Sequence, residues 1–139
     1  MNTPMETAEK IKTHLEFLGY EPTIQDKRSE GGLLVVQASS KQKPNLILWF
    51  NDNGTVGVKS GWNGMKKMET TEQWDFVNKC NSEVMFMARM YIDNDGDLQF
   101  QTVYMGDYDK TVFGNFIDIM NADISRVLSN PDFKRLLVK

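Results

Sequence analysis

Apolar residues recur at intervals of three and four near the start of the chain, at Met5, Ala8, Ile11, Leu15 and Leu18, the spacing that lines one face of a helix. Thr3 and Glu6 have the spacing of a capping box, Pro4 falls where its missing N–H costs nothing, and Gly19 supplies a left-handed stop. The pattern predicts a helix over Pro4–Leu18. Beyond it the period shortens. Thr23–Asp26 offers a short extra edge strand, Arg28–Gly32 reads as a loop, and Leu33–Ser39, Leu46–Asn51 and Thr55–Gly61 read as three strands. Asp52-Asn53-Gly54 has the chemistry of a three-residue hairpin loop closed by a left-handed glycine. That register pairs Phe50 with Val56 and Leu48 with Val58, and lays Trp49 over Gly57.

After a loop at Gly61–Glu69, which includes Gly64, the Thr70-Thr71-Glu72-Gln73 cluster offers an N-cap for a short helix with Trp74, Val77 and Cys80 on one face. Val84–Ile92 and Leu98–Met105 form a second predicted hairpin around Asn94-Asp95-Gly96, matching Ile92 with Leu98 and Met90 with Phe100. A long helix follows at Lys110–Leu128, with Val112, Phe116, Ile117, Met120, Ile124, Val127 and Leu128 on its buried stripe. Asn130 and Pro131 restart the chain as a short helix that docks through Phe133, Leu136 and Leu137. The expected fold is α+β, an antiparallel sheet of about five strands with packed helices in the order α-βββ-α-ββ-α, in one domain over residues 1–139.

Composition narrows what such a domain does. Hydrophobic residues make up 40% of the 139 positions and charged residues 25%, a globular mixture. The formal net charge is −3 and the lysines are scattered, so no basic stripe awaits nucleic acid. No apolar run approaches the roughly 20 residues that span a bilayer. The N-terminal residues lack the features of a secretory signal, and one cysteine suits a reducing compartment, so the expected location is cytoplasmic and free of membrane.

Candidate chemistry is sparse. Asp93-Asn94-Asp95-Gly96-Asp97 looks like a calcium loop, but counting from Asp93 the glycine falls fourth and Tyr104 falls twelfth, where an EF-hand needs glycine sixth and glutamate twelfth. The cluster therefore reads as a turn, and neither a metal nor a cofactor is expected. His14 is the single histidine; it reads as a helix-packing residue, because the sequence supplies neither nucleophile nor orienting partner. Cys80, beside Val77, reads as apolar packing. Asp107 and Asp109 read as helix-start residues that accept from free N–H groups and complement the dipole.

The surface signal lies in the second hairpin. Strand alternation from Val84 to Ile92 puts Met85, Met87, Arg89 and Tyr91 on one face, with Val103 and Met105 beyond Gln99 and Gln101 on the adjoining strand. Flexible thioethers mixed with aromatic and polar groups suit an adaptable partner, and these six residues form the predicted partner-binding face. Coverage of this face by another part of the chain or by a second subunit is the competing reading.

Phe76-Val77-Asn78-Lys79-Cys80-Asn81, followed by Ala88-Arg89-Met90-Tyr91-Ile92-Asp93-Asn94-Asp95-Gly96-Asp97-Leu98, resembles the YbjN-like family of bacterial proteins described as sensory-transduction regulators. The resemblance covers mainly Trp74–Leu128 and departs at Cys80, where the family often has tryptophan between the two asparagines. It implies the type III secretion chaperone-like fold, a tendency to form a homodimer, and a regulatory or chaperone-like protein-binding role without catalysis. Asn78 and Asn81 match the motif and read first as structural residues that cap the turn from helix into strand. A small-molecule sensor with a closed pocket and an enzyme using His14 or a carboxylate pair are the alternatives.

Overall fold

The computed structural model describes residues 3–62 and 70–134. Gly64, Leu136 and Leu137 lie outside the described residues. The elements run α1 (Pro4–Phe17), β1 (Glu21–Asp26), a 3-10 turn (Arg28–Glu30), β2 (Leu34–Ser39), β3 (Leu46–Phe50) and β4 (Val56–Trp62). They continue with α2 (Thr70–Lys79), a π turn (Cys80–Val84), β5 (Arg89–Ile92), β6 (Leu98–Tyr104), α3 (Lys110–Leu128) and α4 (Pro131–Lys134). The fold is α+β, and its antiparallel sheet has six strands in the order β1-β2-β3-β4-β6-β5. The sixth strand is β1, the extra edge strand of the sequence reading, longer by two residues than its apolar pattern indicated.

Local chemistry accounts for the elements. At the start of α1, the Thr3 hydroxyl accepts from Glu6 N at 3.2 Å while the Glu6 carboxylate accepts from Thr3 N at 3.3 Å, and Gly19 turns the chain out at φ 94°. The first hairpin has the expected register, with Phe50 opposite Val56 and Leu48 opposite Val58. A Cβ at Gly57 would lie 1.9 Å from the Trp49 ring, so only glycine lets the indole lie flat on β4. The second hairpin matches Ile92 with Leu98 and Met90 with Phe100.

The chain divides into two compact units, residues 1–60 with 103–116 and residues 61–102 with 117–139. In the first, Ala8, Ile11, Leu15, Leu34, Val36, Leu48 and Phe113 are buried; in the second, Ala88, Leu98, Phe100, Met120, Ile124, Val127 and Phe133 are. Each fully buried phenylalanine contributes about 1.5–3 kcal/mol of transfer free energy.

Three expectations need correction. The strand predicted over Val84–Ile92 begins only at Arg89, because the chain first makes a π turn, closed by Met85 N donating to Cys80 O at 2.8 Å. On α2, Phe76 joins Val77 and Cys80 inside, whereas Trp74 is 63% exposed. On α3, Phe116, Ile117, Met120, Ile124 and Val127 are buried as the stripe predicted, but at its first turn Phe113 is buried and Val112 faces solvent.

Candidate binding surface

The second unit contains a segment whose main chain is held by side chains rather than by a neighbouring strand. Asp123, fully buried on α3, accepts from the amides of Phe86, Met87 and Ala88, each at 2.8 Å, and is paired with Arg126. Arg126 Nε also donates to the Val84 carbonyl at 3.3 Å. Burial opposes ionisation of Asp123, but the three amides and the guanidinium outweigh it and hold its carboxyl below the ordinary range. The grip explains why residues 86–88 leave strand geometry: their donors are spent on a carboxylate.

Asn81 performs the matching task one step along. Its carboxamide accepts from Met90 N at 2.8 Å and donates to Met90 O at 3.1 Å, the pair of bonds that an adjacent strand would make. Asn81 is thus structural, as expected, although its partner is the middle of β5 rather than the helix end. Asn78 serves through its backbone carbonyl, which accepts from the Ser82 hydroxyl at 2.9 Å.

The six predicted surface residues separate on this frame. Arg89 and Tyr91 are exposed on β5, opposite Gln101 and Gln99. Met85 and Met87 are half-buried and precede the strand, so alternation does not group them with Arg89 and Tyr91. Val103 and Met105 belong to the first unit and are 47% and 74% exposed, Met105 just past the end of β6. Phe86, assigned by alternation to the opposite face with buried Ala88 and Met90, is instead 76% exposed. It lines an open groove of about 370 Å³ with Val84, Met85, Ile119, Ala122 and Arg126. The sequence reading missed the α3 contribution, although Ile119, Ala122 and Arg126 recur at intervals of three and four beside the buried stripe.

The remaining candidates are occupied structurally. In the Asp93 turn, Asp93 Oδ1 accepts from the amides of Asp95 and Asp97 and Oδ2 from Gln99, each at 2.9 Å, while Gly96 adopts φ 84°. Asp93, Asp95 and Asp97 each bring an oxygen within 4.8 Å of the others, and the turn's own donors account for Asp93. His14 Nδ1 lies 2.7 Å from the Tyr108 hydroxyl, and its ring meets Phe113 edge-on at 5.3 Å. Burial first, and then Lys110, push its pKa below the ordinary value. Tyr108 is the partner that sequence spacing did not reveal, since it lies 94 positions away. Burial drives the Cys80 thiol up to about 11, the condition of a packing residue rather than a nucleophile. Asp109 Oδ1 caps α3 through Val112 N at 2.9 Å, whereas Asp107 contributes its backbone carbonyl to the Tyr104 hydroxyl.

No family model matches the chain, and no curated protein matches it in sequence. Among solved structures it is similar to YbjN from E. coli, described as a candidate transcription regulator. The TM-score is 0.66 and the identity 14%, over 99% of this chain and 100% of that one. The fold is therefore YbjN-like. No helix among the described residues is long and apolar enough to cross a membrane.

Proposed function

We propose that this chain is a non-enzymatic bacterial regulatory or chaperone-like module that acts in the cytoplasm by binding a polypeptide partner. The observation that carries this reading is the segment 84–88. Its main chain is immobilised by Asp123 and Arg126, yet it presents Phe86 to solvent beside Met85 and an open groove. A large apolar side chain held in water by a main chain whose amides are bonded loses little further freedom when a partner covers it, which is how preorganised surfaces gain affinity. Arg89 and Tyr91 on β5 extend the same unit's exposed chemistry, with an aromatic ring and a guanidinium of the kinds enriched at interfaces. The YbjN-like fold supports a regulatory role by analogy, and analogy of fold alone does not carry function.

The test uses Phe86→Glu together with Tyr91→Ala. Both positions are exposed, so thermal melts should stay cooperative and shift little. Affinity capture from the native lysate should recover a protein with the wild type that both variants lose, and that purified protein should bind directly. An unchanged set of bound proteins in both variants would sink the reading. So would a turnover activity that His14→Gln abolishes while leaving the chain folded.

A further inference from the structure

We infer that β1 is a self-association edge, to which a second copy of this chain adds its own β1 in antiparallel register centred on Ile24. The sheet ends in β5 on one side and β1 on the other. The β5 edge is covered over most of its length by the chain itself: Ala88 gives its N–H to Asp123 and receives Arg89 at its carbonyl, and Met90 has both groups on Asn81. The β1 edge has no such cover among the described residues. Lys27 N donates to Leu33 O at 3.1 Å, which makes that pair hydrogen-bonded toward β2. Alternation back along the antiparallel ladder turns the main-chain groups of Asp26, Ile24 and Pro22 outward. Pro22 thus stands where its missing N–H costs no bond to β2.

The exposed side chains fit a second copy. With Ile24 opposite Ile24 across a two-fold axis, Thr23 meets Gln25, Pro22 meets Asp26, and Glu21 meets Lys27 at both ends of the pair. The two Ile24 residues exchange two main-chain bonds, and each Asp26 N–H reaches a Pro22 carbonyl, so proline's lack of a donor leaves only the Asp26 carbonyls to water. The apolar row gives a second reason. Ile24, Val36, Leu48 and Val58 stand side by side across the sheet; the last three are 0% exposed, and Ile24 ends the row half-buried. A second Ile24 extends that row and covers its open end.

The proposal is independent of the groove in the other unit, so Phe86→Glu should leave self-association unchanged. Sedimentation or light scattering of the full chain across micromolar concentrations should show a monomer–dimer equilibrium. Glu21→Lys and Lys27→Glu, both at exposed positions, should each weaken it about tenfold by placing like charges opposite one another. An equimolar mixture of the two variants should restore wild-type dimerisation, because every strand end then again sets opposite charges together. Ile24→Asp should abolish it, and if that variant fails to fold the charge-swap mixture still decides. A wild type that stays monomeric throughout overturns the proposal, as does a dimer indifferent to both charge changes. A mixture that dimerises no better than either variant alone also overturns it.

Discussion

Asp123 shows how much one buried side chain decides. Its two oxygens satisfy the amides of Phe86, Met87 and Ala88 and neutralise one edge of Arg126. An asparagine there would turn donors toward donors, and we predict that Asp123→Asn lowers the unfolding free energy by about 2–4 kcal/mol in urea titrations at neutral pH. The folded-state pKa lies below the ordinary 3.8, so on acidification the unfolded chain takes up this proton first. The stabilisation is therefore complete above 3.8 and is lost as the pH falls through the lower folded value. The gap between wild type and variant should shrink there; a gap that persists in strong acid would count against the carboxylate as its source. A polar residue beside the buried α3 stripe was visible in the sequence, but the three amides that it binds, 35 to 37 positions away, were not.

At the scale of elements, the informative failure of periodicity is Val84–Ile92. The alternation is present in the sequence, yet the segment is a π turn, a carboxylate-bound stretch and a four-residue strand. Hydrophobic alternation reports which side chains prefer burial; it is silent about whether the main-chain donors go to a strand or to a side chain. Asn81 is the device that ends the sheet at β5. Asn81→Ala should expose Met90 N–H and C=O, raise hydrogen exchange at the Met90 amide and cost about 1–3 kcal/mol. Asn81→Asp retains the acceptor and should fall between wild type and alanine. Unaltered Met90 protection in the alanine variant would show that another group guards this edge.

For the whole molecule, the consequence is a sheet with one edge partly covered by its own side chains and the other proposed for self-pairing. Because the Glu21–Lys27 pairs would lie in solvent, raising the salt from 0.05 to about 1 M should weaken association several-fold, and the variant mixture should respond in the same direction. Salt-insensitive dimerisation would place the interface on apolar surface elsewhere. The sequence by itself determined α1, both hairpin registers and α3, since each rests on contacts or torsions among near neighbours: a capping box, left-handed glycines at Gly54 and Gly96, cross-strand pairs, and a repeating stripe. Only the tertiary structure decided that β1 completes the sheet, that Tyr108 meets His14, that Asp123 and Asn81 take over the main chain around β5, and that Phe86 stands in water instead of facing inward with Ala88 and Met90. Those outcomes depend on which distant residue arrives beside a given donor, and the local spacing of apolar residues contains no record of that arrival.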